Sequence, residues 1–555
     1  MTAPAAARTR RLPRILPLLA SLTVLATLTA LLGPCGAGPS QAAPTRPSAT
    51  LRASTTAPLY GATTTLAVAV RKGAPRQPVA LQVRSGSSWK VVQRARLPRA
   101  GAVKRVTFRL SATWAGTRTY RAVLTRTRAA GSTTTSAVDV TVRPRTWPVS
   151  TLPSGLTDGV ATLGDVSGDG RFVVFSTSAS DLSPQDPGPG LDVYLWDRAD
   201  GSFTVVSHPN GSPTASDSNS RTPRISDDGR FVVFASTAGL DGVDGDGAYD
   251  VYRWSRATDT HELVSVGSGG AQSNGSAINP DISADGQRVV FESTATNIAG
   301  GTSSADVFLW EQGAGTPTLL SRGPADVAGN GASTEPSISA DGRHVAFQTE
   351  ASNLAQTQYP ADANGSSDIV LWDQDLGPGT GLFRVSTTPG GLQAAGGSRR
   401  AQISGDGTFV AFESDATTIN PDDTAASTDI FRWNRDDLSV IELVSEPLDP
   451  LYAGGFVTTP AIDGSGTRIG FVGDFDALRR NTITSARDVI LWRSAGAVMT
   501  RESVSTAGAA GTPSGSTGVR LSDDGHWIVF TTQATNLGAQ GPAGESQVFL
   551  RGPLP

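Results

Sequence analysis

Short apolar and polar runs alternate along most of this 555-residue chain, and the repeating part lacks the 3.6-residue period of a helix. The best-formed segment is Ile282-Ser283-Ala284-Asp285-Gly286-Gln287-Arg288-Val289-Val290-Phe291. It reads as a strand, an Asp-Gly turn, and a second strand that ends on an aromatic. Gly supplies a positive φ in such a turn without a Cβ clash, and the neighbouring Ser and Asp bond nearby backbone amides. The unit recurs, and its closing aromatics are Phe175, Phe234, Phe291, Phe347, Phe412, Phe471 and Phe530, spaced by 59, 57, 56, 65, 59 and 59 residues. A near-constant period over seven copies predicts a repeat architecture.

Two further markers complete each copy. About twenty residues on stand Asp192-Val193-Tyr194-Leu195-Trp196, Asp250-Val251-Tyr252-Arg253-Trp254 and their counterparts, ending at Gln547-Val548-Phe549-Leu550. A Val-Ser or Leu-Ser step follows, as at Ser207, Ser265, Ser321, Ser386, Ser445 and Ser505. One copy is therefore four short strands separated by turns, the make-up of a propeller blade. The seventh copy ends after its third strand, and Thr146-Trp147-Pro148-Val149-Ser150 reads as an orphan fourth strand. Residues 146–152 are expected to complete the last blade and close the ring.

The pattern P-x-I-S-x-D-G-R-x-V-x-F-x-S, followed by D-V-F-x-W, resembles the WD40-like repeat of TolB-type β-propellers over roughly residues 146–555. The resemblance implies a binding platform rather than a reaction. TolB pairs its propeller with a different N-terminal domain, so its partners do not carry over.

Ahead of the repeats, residues 1–42 read as a secretory signal. Arg8, Arg10, Arg11 and Arg14 precede an apolar run from Ile15 to Leu32, with small residues at Ser40-Gln41-Ala42. A lipoprotein box around Cys35 is the less favoured alternative, because Pro34 directly precedes the cysteine. No other apolar run is long enough to span a membrane. After a linker at 43–47, residues 48–145 carry about seven alternating strand patterns, which suggests a β-sandwich. Gly116-Thr117-Arg118-Thr119-Tyr120-Arg121-Ala122 resembles the tyrosine-corner strand of bacterial immunoglobulin-like domains. The expected fold is all-β, a seven-bladed propeller behind an immunoglobulin-like sandwich.

Charge divides these two parts. Residues 45–145 hold 19 Lys or Arg and one acid, Asp139, whereas residues 146–555 hold 23 bases and 49 acids. Two readings stay open here. The basic domain docks on the acidic propeller, or it grips an anionic polymer of the cell envelope, where binding would be steeply salt-dependent. Nucleic acid is not expected in an exported protein.

Catalytic chemistry is thin in the sequence. There is no Gly-x-Ser-x-Gly elbow, no sialidase-type Asp box and no zinc-spaced Cys or His cluster. His208, His261, His344 and His526 read as surface residues near strand edges. Calcium is the one metal considered, at Asp241, Asp244, Asp246 and Asp250, although that stretch lacks the terminal Glu of a twelve-residue loop. No cofactor is otherwise expected.

The position before the Ile of each inner strand varies freely, and the ligand surface is expected there, at the channel mouth. It holds Asp165, Arg224, Asp281, Gln402 and Arg520, with Glu335 and Arg400 two residues earlier in their strands. A polar peptide, glycan or envelope protein suits this funnel; salt bridging between blades is the bland alternative. The reading as a whole is an exported, non-catalytic binding or scaffold protein, secreted or associated with the cell surface. The alternative is a lyase or glycan hydrolase acting in the funnel, for which a carboxylate pair across the channel would speak.

Overall fold

A computed structural model describes residues 44–554 apart from 115, 153–157, 187, 189, 217–218, 243–244, 355–361, 377–380, 424–426, 439, 448–455, 481–485, 514 and 539–544. The signal-like segment with Cys35, and Asp244 of the calcium candidate, therefore lie outside the described residues.

The fold is all-β. The basic domain contains β1 (Ser48–Ala53), β2 (Thr63–Arg71), β3 (Pro78–Ser85), β4 (Ser88–Arg96), β5 (Val103–Ser111), β6 (Thr117–Leu124), β7 (Thr133–Thr134) and β8 (Val138–Thr141). They form two antiparallel sheets, ordered β1-β2-β5 and β4-β3-β6-β7, with β8 also on β6. Alternation puts Leu66, Val68, Val70, Val79, Leu81, Phe108, Tyr120 and Leu124 in one shared core.

Among the described residues seven four-stranded antiparallel sheets follow, a propeller-like arrangement. The first is β10 (Ala161–Val166), β11 (Phe172–Thr177), β12 (Asp192–Asp197) and β13 (Ser202–Val205). The first strands of successive sheets touch in order, and β10 also touches the first strand of the last sheet, Gly518–Leu521, so the contacts close a ring. That last sheet takes its fourth strand from far upstream: β9 (Arg145–Pro148) pairs with Gln547–Gly552.

Two repeated devices hold the ring. In six sheets the Asp that starts the third strand accepts a hydrogen bond from a buried Ser just after the fourth, as in Asp192–Ser207, Asp250–Ser265 and Asp306–Ser321, at 2.6–3.1 Å. The same Ser Oγ accepts the next backbone N–H of the third strand. In the seventh sheet Ser150 does this across 397 residues, donating to Gln547 Oε1 at 2.8 Å and accepting from Val548 N–H at 2.9 Å. Asp and Ser recur in six copies, and Gln547 replaces the Asp in the seventh, because the pair satisfies buried polar groups that would otherwise cost about 1–3 kcal/mol each.

The second device uses the Asp-Gly turns. Each turn Gly, at φ between 66° and 72°, lies flat against one residue of the neighbouring sheet: Gly229 on Phe172, Gly286 on Phe231, Gly407 on His344, Gly466 on Phe409, and Gly170 on Trp527 across the closure. A Cβ on Gly170 would stand 2.2 Å from the Trp527 ring. The glycine is thus required both for its dihedral and for the close approach.

The two parts meet through aromatics. Tyr60 of the basic domain packs on Trp147 and Trp527 at ring distances of 6.1 and 5.5 Å, with the Arg198 guanidinium 4.1 Å from the Trp527 ring centre. Among the described residues no ion pair joins residues 45–145 to the acidic sheets.

Candidate functional site

The seven inner strands line a central channel with two chambers that share Arg224, Gln402 and Arg520. Six of these strands carry a bulge, which falls for example between Arg221 and Arg224 and between Thr334 and Ser337. Its first residue is left-handed in five strands: Thr222, Asn279, Glu335, Arg400 and Thr459 have φ of 50–54°. A β-branched residue rarely adopts that conformation. Pro223, Pro280, Pro336 and Pro460 occupy the second bulge position, where the missing N–H costs no ladder bond. The bulges bring Thr222, Asn279, Glu335, Arg400 and Thr459 to one chamber, of about 780 Å³.

All seven residues singled out in the sequence line this channel. They divide by chemistry. Asp165 Oδ2 accepts the N–H of Ile225 in the next sheet at 3.3 Å, and Asp281 Oδ2 accepts that of Ile338 at 2.9 Å. Ser337 caps Ile403 in the same way. Arg224, Gln402 and Arg520 instead each donate to the carbonyl of their own preceding residue. The acceptors thus stitch sheet to sheet, while the long donors remain in the channel. Arg224 Nε lies 3.7 Å from Asp281 Oδ1. Burial, then the nearby Arg224 charge, lowers the Arg520 guanidinium to about 10. Burial also raises the Asp165 carboxyl against the pull of Arg224 and Arg520.

Arg400 is engaged elsewhere. Its guanidinium joins Arg399 on the buried Glu413 at 3.0 Å, and Glu413 also accepts the Thr459 N–H. Glu335 donates its backbone N–H to the buried Glu292 at 2.6 Å.

The other chamber, of about 670 Å³, is lined at its end by Asp227, Ala284, Ala340, Gly405, Gly464 and Asp523, and Gly168 holds the same turn position in the first copy. Backbone bonds tie successive turns here, among them Gly168 N–H to Asp227 O and Gly464 N–H to Asp523 O. Only two of the seven positions carry a side chain longer than a methyl group, and the small ones make room for it. A Cβ on Gly405 or Gly464 would stand 2.0 Å from Asp523 Oδ1, and one on Gly168 would meet the Asp227 Cβ at 3.2 Å.

Asp227 is half-buried, and among the described residues its carboxylate takes no hydrogen bond. Desolvation, then the charges of Asp523 and Asp165, pushes it up to about 7. Asp523 is more open to water. Partial desolvation shifts it in the same direction, followed by Asp463, Asp524 and Asp406. Sequence reasoning stopped one turn short of this pair. The available signal was a position that is Gly or Ala in five copies and Asp in two.

The remaining candidates have other surroundings. Asp250 accepts from Ser265 and Ser273, and Asp246 Oδ1 accepts the Ala248 N–H. Among the described residues no group of three His, Cys, Asp or Glu is gathered as a metal would need. The histidines correct the sequence reading, because His208, His261 and His344 are 3, 6 and 5% exposed and pack between sheets rather than at the surface. His261 Nε2 bonds Val206 O at 2.7 Å, and burial lowers its pKa to about 4.

No protein-family profile matches the chain, and no curated protein matches it in sequence. Among solved structures it is similar to a prolyl endopeptidase (12% identity, TM-score 0.40), over 82% of this chain and 55% of that one. An ancestral GH74 enzyme aligns over 88% of this chain and 63% of its own, at 10% identity and TM-score 0.38. A cycloalternan-forming enzyme from Listeria monocytogenes aligns over 70% of this chain and 29% of its own, at 8% identity and TM-score 0.15. The chain spans a little over half the length of the first two. These structures are enzymes, so the expectation of a non-catalytic binding or scaffold protein is withdrawn. Scores of 0.40 and below transfer no activity of theirs to this chain.

Proposed function

We propose that the chain is an acid–base enzyme, a glycan hydrolase or lyase, that works at the Asp227–Asp523 end of the central channel. The observation that carries this reading is the pair itself. Two carboxylates share one end of the channel, where five of seven equivalent positions are Gly or Ala; Asp523 acts on Asp227 through its charge, and Asp227 holds its proton near neutral pH. An acid tuned to the working pH can protonate a leaving oxygen, while a second, ionised carboxylate serves as base or nucleophile. Asp227 takes the acid role and Asp523 the other. Arg224 and Arg520, one layer up the channel, are placed to hold negative charge on the substrate. The Asp165 and Asp281 carboxylates are committed to backbone caps, which leaves the chemistry to the turn-end pair.

The rest of the reading belongs with this. The repeat is proposed to be of the TolB-like type in a seven-bladed propeller, with an immunoglobulin-like domain ahead of it and export directed by residues 1–42. Seven four-stranded sheets and the two-sheet basic domain support the architectural part of this reading.

The test is depolymerisation of a panel of neutral and acidic polysaccharides by the full-length protein. New reducing ends report a hydrolase, and an added unsaturated chromophore reports a lyase. Asp227→Asn is expected to lower kcat by at least about a hundredfold, the ordinary contribution of a general acid. A folded protein that cleaves nothing on the panel, or an Asp227→Asn variant with parental activity, refutes the assignment.

A further inference from the structure

The basic domain displays its charge in an ordered way. In the β1-β2-β5 sheet the register pairs Leu66 with Phe108 and Val68 with both Leu51 and Val106 on the core side. The opposite face then carries Arg52 from β1, Arg71 from β2, and Arg105 and Arg109 from β5. All four are exposed, and among the described residues none takes an ion pair or a side-chain hydrogen bond. The positions between them are small: Thr50, Thr65, Ala67, Ala69 and Thr107. Arg105 and Arg109 stand about 13 Å apart along one strand, from the rise of a β-strand. No carboxylate shares this face; Asp139, the sole acid of residues 45–145, is on β8 in the other sheet.

The arginines of the other sheet are engaged differently. Arg121 lies 4.1 Å from the Trp89 ring centre and bonds Gln82 Oε1, Arg84 bonds Gly86 O, and Arg96 bonds Arg76 O. Of that sheet's strand arginines Arg94 alone has no such partner among the described residues, so the unengaged guanidinium groups gather on the β1-β2-β5 face. The acidic sheets leave it so, because the junction with them is the aromatic contact of Tyr60 with Trp147 and Trp527.

We infer that the β1-β2-β5 face is a binding surface for an extended acidic polysaccharide, held by Arg52, Arg71, Arg105 and Arg109. The face is flat, and its guanidinium forks match the planar carboxylates of such a polymer. Its one branched apolar side chain, Val103 opposite Arg71, is half-buried and offers no anchor in a lipid surface, and the face has no aromatic ring on which a nucleobase could stack. This binding does not depend on the channel being catalytic.

The experiment is equilibrium binding of the full-length protein to polygalacturonate across a salt series, with neutral dextran, duplex DNA and phosphatidylglycerol vesicles as comparators. Four cations engaged on a flexible polyanion predict an affinity loss of about 50-fold between 50 and 200 mM salt. Arg105→Gln/Arg109→Gln is expected to weaken binding at 50 mM salt at least about tenfold and to flatten the salt slope by about 1.4, at about 0.7 for each cation. Arg94→Gln/Arg96→Gln, on the other sheet, is the control and should change affinity less than about threefold. Melting temperatures check that both variants fold. The inference is overturned if polygalacturonate does not bind at 50 mM salt, or if DNA or vesicles bind more tightly. It also fails if the control variant loses as much as the first, which would mean undirected charge attraction, or if the protein self-associates at low salt in place of binding polymer.

Discussion

Asp227 offers the sharpest test, because stability and function pull on it in opposite directions. Its carboxyl is raised from 3.8 to about 7 by desolvation and by Asp523 and Asp165. The folded protein therefore holds a proton there that the unfolded chain releases between those two values. Its contribution to stability is whole below pH 3.8 and is lost as pH rises through 7. A rise of about 3 pH units at about 1.4 kcal/mol each sets a ceiling of about 4 kcal/mol on that loss. Asp227→Asn keeps the shape and removes the charge. The variant should match the parent near pH 4 and gain steadily above pH 5, up to that ceiling by pH 8. Scanning calorimetry of both proteins from pH 4 to 9, at one scan rate, measures the difference in Tm at each pH. A difference that does not grow with pH, or a variant less stable than the parent at pH 8, refutes the electrostatic account of this site. A gain in stability joined to a loss of glycan cleavage is the trade expected of a residue kept for chemistry.

Other consequences can be checked separately. His261, lowered to about 4 by burial, must gain a proton on unfolding. Its share of stability is present above pH 6.5 and is lost as pH falls toward 4, by up to about 3 kcal/mol; His261→Gln should flatten the acid limb of a denaturation-versus-pH profile. Ser150→Ala leaves the buried Gln547 Oε1 and Val548 N–H without their partner, an expected cost of about 1–3 kcal/mol by urea unfolding. Deleting residues 146–152 removes that latch together with β9 and should give aggregation; a deletion variant as stable as the parent refutes closure through this segment. Gly170→Ala adds left-handed strain to a collision with the Trp527 ring and should cost roughly 3 kcal/mol, part of which Trp527→Ala restores.

The repeat was legible because each of its letters answers a local demand. The turn Gly needs a positive φ, the third-strand Asp needs its Ser, and the closing Phe needs a core, so all three recur at a period near 59 residues. The channel was legible only by subtraction, as the positions where that demand lapses. Subtraction cannot separate a residue that is free to vary from one that has found a different structural partner. Asp165 and Asp281 varied in sequence and yet proved to cap Ile225 and Ile338 of the next sheet. Arg400 likewise is engaged by Glu413. The histidines failed for a related reason. His344 is two residues past Gly342, in the slot that lies on the next turn glycine, whereas His526 is one residue past Gly525 and leaves that slot to Trp527. A one-residue offset along a strand reverses the face, so similarity of neighbourhood in sequence said nothing about burial. Asp227 and Asp523 were hidden differently. They sit beside the Asp of the repeated turn, where an extra acid looks like turn chemistry, and only the ring brings residues almost 300 apart into one another's field. Where a closed repeat holds its function, the informative comparison is therefore between copies at one position around the axis. Two carboxylates in a ring of Gly and Ala are exceptions that the packing of the turns does not demand.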